Sequence, residues 1–293
     1  ISTGSFTLGL LVGFLSYVAN FYNPLRQLAA LWANFQVGLA GWDRISAILQ
    51  MKNNMVVLET SQEAVTANAK NALLAFKDVS FSYAEDKHVL HTVNFVLEPG
   101  KTYALVGPTG GGKTTTASLM ARLYDPVSGT VFLNGKDIRT YETTERTQKI
   151  GFILQEPILF SGTVRENILY GNEAYKDFSN EDFTKALFDR GLESLLVRFD
   201  GGLEAKVATS GDALSLGQKQ LIAFMRAVLR DPELLILDEA TANIDTITEQ
   251  LLEEILKKLP VRTTRVIIAH RLNTIENADE IFFVNAGEVV QAG

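Results

Sequence analysis

The chain has 293 residues, 46% of them apolar and 21% charged, enough for a buried core, which excludes a disordered polymer. Its 27 basic and 34 acidic residues leave a formal charge of −7, which argues against a nucleic-acid footprint. Cysteine is absent, which excludes a disulfide framework, a thiolate zinc site and a cysteine nucleophile.

The charge is unevenly spread. Residues 1–50 carry only Arg26, Asp43 and Arg44, and no charge precedes Arg26. Residues 6–22 are mostly apolar, and their length reaches the lower end of the range for a membrane-spanning helix. Gly9 and Gly13 sit four apart, as in small-residue helix contacts within bilayers. Tyr17, Phe21 and Tyr22 suit an interface belt, with Arg26 just beyond. A buried helix of a soluble core and a signal peptide are the competing readings. The second lacks a basic start and a small-residue cleavage site. The chain begins without Met and stops at Gly293, so it reads as a piece of something longer.

After Pro24, the series Leu25, Leu28, Leu31, Trp32, Phe35, Leu39, Trp42, Ile45 and Leu49 predicts a long amphipathic helix. Residues 53–72 are polar and weakly periodic, as in a linker. A compact domain is expected from about Leu73. It opens with strands over 74–83 and 89–97 that can pair antiparallel. Further strands are expected over 102–106, 130–133, 150–154, 234–237 and 266–269, with a turn at Asn134-Gly135. Helices are expected over 113–123, 216–229 and 246–259, the last stopped by Pro260. The runs 234–237 and 266–269 are wholly apolar, as in strands covered on both faces. Alternating strands and helices imply an α/β fold with a parallel sheet.

Two motifs carry chemistry. Gly107-Pro108-Thr109-Gly110-Gly111-Gly112-Lys113-Thr114 fits G-x-x-x-x-G-K-[ST] between a strand and a helix. Glycines let backbone N–H groups curl around a phosphate, and the helix N-terminus adds a positive dipole end. Lys113 supplies charge for the outer phosphates, and the Thr114 hydroxyl is suited to Mg²⁺. The second motif is the apolar strand ending in Asp238-Glu239. There Asp238 can hold Mg²⁺ through water, and Glu239 can orient or deprotonate an attacking water.

At these residues the chain resembles the nucleotide-binding domain of ATP-binding-cassette (ABC) transporters. Leu214-Ser215-Leu216-Gly217-Gln218 is similar to the family signature LSGGQ, with Leu216 at its first glycine position, 20 residues before Asp238. Gln155 resembles the family's Q-loop glutamine and His270 its switch histidine. Ala242-Asn243-Ile244-Asp245 stands at the D-loop, and Tyr83 at the adenine-stacking aromatic. Val127-Ser128-Gly129-Thr130 and Asn134-Gly135 match family turns. Residues 1–50 look like the last membrane helix of an exporter and its cytoplasmic extension. Val207-Ala208-Thr209-Ser210-Gly211 keeps the frame of the exporter V-G-E-x-G segment and lacks its glutamate at Thr209.

The resemblance implies a P-loop NTPase core with antiparallel β and helical subdomains, preceded by a long transmembrane and cytoplasmic helix. It divides the chain into 1–52 (end of a transmembrane domain), 53–72 (linker) and 73–293 (nucleotide-binding domain with a truncated C-terminus). It implies ATP and Mg²⁺ as cofactors. Glu239, His270, Lys113 and Gln155 would be catalytic, and Thr114, Gln155 and Asp238 would hold metal. Tyr83, the loop Gly107 to Thr115, Gln155, Asp238, Ser215, Gly217 and Gln218 would contact nucleotide. The Ser215-x-x-Gln218 spacing is also a capping box, in which the serine caps a helix N–H and the glutamine reaches back.

The implied activity is ATP hydrolysis in a membrane exporter. Its partners would be a second half-transporter (the same chain or another), the membrane and an exported substrate, with no nucleic acid. The alternatives are a non-hydrolysing regulatory half, a soluble cassette ATPase and a nucleotide kinase. The first predicts loss of Glu239 or His270, the second lacks the apolar helix, and the third lacks the signature.

Overall fold

The structure, a computed structural model, describes residues 7–51, 55–59, 72–84, 87–208, 214–238, 246–268 and 276–292. It divides into two compact units, Ile1–Asn54 and Met55–Gly293.

The first unit contains one helix, α1 (Leu8–Leu49), of 42 residues. Thr7 caps it by accepting the Leu10 N–H at 3.3 Å. The apolar stretch and the amphipathic pattern, read separately from the sequence, form this one helix, which runs through Pro24. Proline removes one backbone hydrogen bond, and Leu25, Arg26, Gln27, Leu28 and Ala29 that follow are strong helix formers. None of the α1 residues is buried. Among the described residues α1 is the only helix long and apolar enough to cross a membrane.

The second unit runs β1 (Leu74–Ser82), β2 (His88–Leu97), β3 (Thr102–Val106), α2 (Lys113–Met120), β4 (Ser128–Leu133), β5 (Lys136–Asp137), α3 (Thr143–Lys149) and β6 (Ile150–Ile153). It continues with β7 (Gly162–Thr163), α4 (Val164–Leu169), α5 (Asn180–Phe188), α6 (Glu193–Leu196), β8 (Lys206–Val207), α7 (Leu216–Val228), β9 (Leu234–Asp238), α8 (Thr246–Lys258), β10 (Thr264–Ile268), β11 (Glu280–Asn285) and β12 (Glu288–Ala292).

The strands β2-β1-β4-β5 form an antiparallel sheet, with Phe76 opposite Phe95 and their rings stacked at 4.4 Å. Asn134 (φ 49°) and Gly135 (φ 76°) close its β4–β5 hairpin with the paired left-handed residues such a two-residue turn demands. The second sheet has the order β12-β11-β3-β10-β9-β6. All its strands are parallel except β12, which pairs antiparallel with β11 at the edge.

Strand β9 shows why a wholly apolar run belongs here. Leu234 and Ile236 face one core, with Leu105, Leu119, Val266 and Phe282. Leu235 and Leu237 face the other, with Val164, Ile168, Phe183, Leu221 and Phe224 of the helical layer. Period-two alternation thus fills two cores from one strand.

Arg122, just past α2, is the largest fully buried side chain among the described residues. Its guanidinium donates to both Asp125 oxygens (2.8 and 3.3 Å), to the Arg139 carbonyl (3.3 Å) and to the Val56 carbonyl (2.8 Å). The Leu58 N–H donates to the same Arg139 carbonyl at 2.9 Å. Hydrogen bonds therefore hold residues 55–59 against the rest of the second unit, with Val56 exposed. Removing one partner of a buried ion pair strands the other and the carbonyls around it. Arg122→Met is expected to cost about 3 kcal/mol of unfolding free energy in urea titrations. An unchanged midpoint would show that the guanidinium carries no such weight.

Candidate functional site

The site lies where the parallel strands end. Strand β3 stops at Val106 and runs into Gly107, and α2 starts at Lys113. Gly112 N-caps α2 in the left-handed region (φ 112°), a backbone that side chains other than glycine's rarely tolerate. Gly107 (φ 140°) has a second reason to be glycine, since a Cβ there would run into the Val284 carbonyl oxygen of β11. The loop is thus laid directly on a neighbouring strand.

Lys113 is buried, and its ammonium donates to the Gly107 and Pro108 carbonyls at 2.9 and 3.0 Å. An ammonium has three donors, and these two bonds hold it over the loop. Asp238 closes β9, buried, two strands away from β3. The Thr114 hydroxyl donates to the Asp238 carboxylate at 3.4 Å. A hydroxyl and a carboxylate converging beside a lysine form an all-oxygen donor set that suits Mg²⁺ completed by phosphate oxygens and water. Among the described residues there is no cluster of three or more His, Cys, Asp or Glu.

Tyr83, just past β1, reaches the same helix: its hydroxyl lies 3.1 Å from the Thr115 hydroxyl. Its exposed ring stands edge-on against Phe81 and Tyr124, at 4.9 and 5.2 Å. Gln155 follows β6, whose Ile153 pairs with Leu237, so Gln155 and Asp238 leave the sheet on adjacent strands. Strand β10 ends at Ile268, opposite Asp238. Glu239, His270, Thr209 and the segment Ala242 to Asp245 lie outside the described residues.

Ser215, Gly217 and Gln218 stand apart from this cluster, at the start of α7. The capping box forms as its spacing requires: Ser215 accepts the Gln218 N–H at 3.2 Å, and the Gln218 side chain accepts the Ser215 N–H at 2.9 Å. Gln218 also donates to the Arg198 carbonyl at 2.8 Å. Among the described residues no hydrogen bond joins this cap to the phosphate loop.

Helix α7 does reach the Gln155 segment. Gln220 donates to the Gln155 carbonyl at 3.2 Å, and Arg226 donates to the Ile158 and Asn167 carbonyls at 3.1 and 2.8 Å. Burial, with the nearby Arg230 charge, lowers the Arg226 pKa to about 10, which leaves it charged at neutral pH. These two residues, and Val284 beneath the loop, escaped the sequence reading. The signal for the latter was the apolar run Ile281, Phe282, Phe283, Val284 followed by Asn285-Ala286-Gly287, a strand and hairpin turn.

Comparison with known proteins places this architecture. The family profile described as "ABC transporter" matches residues 90–242. An uncharacterised ABC transporter ATP-binding protein of Bacillus subtilis, YfiC, is 40% identical over 290 residues, covering 99% of this chain and 47% of the relative. A fatty acid ABC transporter ATP-binding/permease protein of Mycobacterium bovis is 38% identical over 294 residues, covering all of this chain and 45% of the relative. The solved structure of a bacterial Atm1-family ABC exporter with ATP bound superposes with a TM-score of 0.72 at 29% identity, over 99% of this chain and 50% of that one. The chain spans about half the length of the curated relatives it matches. The glycine loop on β3, the carboxylate closing β9 and the capped helix α7 are parts of one known design, and the chain belongs to the ABC transporter family.

Proposed function

We propose that this chain is the ATP-hydrolysing part of an exporter, in which ATP joins two nucleotide-binding units and hydrolysis releases them. The single observation that supports this most is the convergence of Lys113, Thr114 and Asp238 at the loop, with the Ser215 cap held elsewhere on the same unit. One chain presents a cradle and, separately, a capped helix N-terminus that favours anions. Two chains arranged head to tail would bring each cap to the other's nucleotide and enclose two ATP molecules.

Within each site, backbone N–H groups of Gly110 to Thr115 would hold the phosphates, and Lys113 would neutralise the outer ones. Tyr83 would offer its exposed ring to the adenine. Thr114, Asp238 and Gln155 would hold Mg²⁺, which when bound neutralises charge on the phosphate oxygens. Glu239 would take or orient the proton of the attacking water, and His270 would hydrogen-bond the γ-phosphate. Gln220 and Arg226 tie the Gln155 segment to α7, so a change at Gln155 has a mechanical route to the signature helix.

Helix α1 supports the membrane part of the reading. At 1.5 Å per residue it is about 63 Å long, roughly twice the hydrocarbon core of a bilayer. One half can span and the other extend into the cytoplasm. Its unburied apolar surface fits lipid and neighbouring membrane helices. In this reading residues 1–52 close a membrane domain, 53–72 link it and 73–293 bind nucleotide. Phosphate release from Mg-ATP by the purified chain tests the proposal: steady turnover is expected, and nucleotide bound without any turnover would favour the regulatory alternative.

A further inference from the structure

The turn between β11 and β12 lies under the phosphate loop. Ala286 (φ 48°) and Gly287 (φ 82°) connect the paired residues Asn285 and Glu288, a two-residue hairpin with both residues left-handed. The turn is held from two sides. On one, the His91 N–H of β2 donates to the Gly287 carbonyl at 2.9 Å. On the other, the Gly287 N–H donates to the Gly111 carbonyl at 3.1 Å. There is no slack between them. A Cβ on Gly287 would overlap the Val89 carbonyl oxygen and come within 2.7 Å of the His91 ring. A Cβ on Gly111 would lie 2.7 Å from the Val284 carbonyl oxygen and 3.5 Å from the Asn285 Cα.

The bond to Gly111 has a consequence for its far side. A trans peptide is planar, with its C=O and N–H pointing in opposite directions. The described peptides here are all trans. Drawing the Gly111 carbonyl toward Gly287 therefore turns the Gly112 N–H away from the turn. Gly112 is also the N-cap of α2, where the helix dipole and the free N–H groups add up. We propose that Gly287, far from the loop in sequence, is a positioning residue for the nucleotide: its N–H fixes the Gly111–Gly112 peptide plane and so aims the Gly112 N–H at a phosphate oxygen. This rests on the reading of residues 107–115 as a phosphate cradle.

Gly287→Ala forces a Cβ against Val89 in a left-handed backbone and pushes the turn off the loop. The expected result is an ATP dissociation constant and KM raised about tenfold, the worth of one well-placed hydrogen bond. Turnover at saturating ATP should stay within about threefold, since every group that meets the reacting atoms is intact. Gly100→Ala is the matched control. Gly100 is also left-handed (φ 78°), and a Cβ there would meet the Val261 carbonyl oxygen at 2.5 Å, in the turn between β2 and β3. It should lower thermal stability without moving ATP affinity. If Gly287→Ala does not fold, Gly287→Asn tolerates the left-handed backbone, keeps the contact with Val89 and should still weaken ATP binding. ATP affinity unchanged in a folded Gly287 variant, or lost equally in Gly100→Ala, would overturn the proposal. Failure of the unsubstituted chain to bind ATP would instead overturn the cradle itself.

Discussion

Lys113→Ala is expected to abolish ATP turnover and to weaken ATP binding by about a hundredfold. The side chain is buried in the loop with its ammonium bonded to two loop carbonyls, so removing it takes away both the charge and the brace. A charge-assisted hydrogen bond contributes about 1.5–3 kcal/mol, and the upper end is roughly a hundredfold in affinity. Calorimetric titration with ATP in Mg²⁺ reads the effect, and circular dichroism separates it from unfolding. Lys113→Arg should not rescue binding, because a planar guanidinium does not fit a point-charge site bounded by the Gly107 and Pro108 carbonyls. Normal ATP affinity in Lys113→Ala would mean that the phosphates bind elsewhere.

The second large effect is expected at Glu239, which follows Asp238 directly in sequence. Glu239→Gln keeps the size and polarity of the side chain and removes its ability to accept a proton. Turnover should fall by about 10²–10⁴, the usual worth of a positioned general base. ATP affinity should remain within about threefold, because the change acts on the water and not on the phosphates. The variant should also accumulate in the nucleotide-closed form, since the step that reopens it is blocked. Unimpaired phosphate release would remove Glu239 from the role of base.

Much of the fold was legible because its signals are local. The strand over 102–106, its glycine loop and the following helix appear with the expected start at Lys113, since glycine placement and a helix dipole need no distant partner. Asn134-Gly135 formed its turn for the same reason, and Ser215 and Gln218 formed their box. The apolar run ending at Asp238 matched a doubly covered strand, and it fills both cores.

What escaped reading depends on long-range contacts. Nothing in the order of residues announces that Arg122 will reach back to Val56, a separation of 66 positions, because a buried arginine and an exposed one look alike in sequence. The support of the loop by Val284 and Gly287 joins segments far apart in the chain. The same holds for Arg226, which grips the backbone near Gln155 rather than presenting charge to solvent. Helix α1 is the long helix that the resemblance implied, and the strong helix formers Leu25 to Ala29 carry it past Pro24.

The most direct test of nucleotide-driven pairing is the molar mass of the purified chain in detergent, by sedimentation, with and without a slowly hydrolysed ATP analogue and Mg²⁺. The expected result is one chain without nucleotide and two with it, and no such step for Lys113→Ala. A mass that ignores nucleotide, in a chain that binds it, would contradict the claim that ATP joins two copies of this fold.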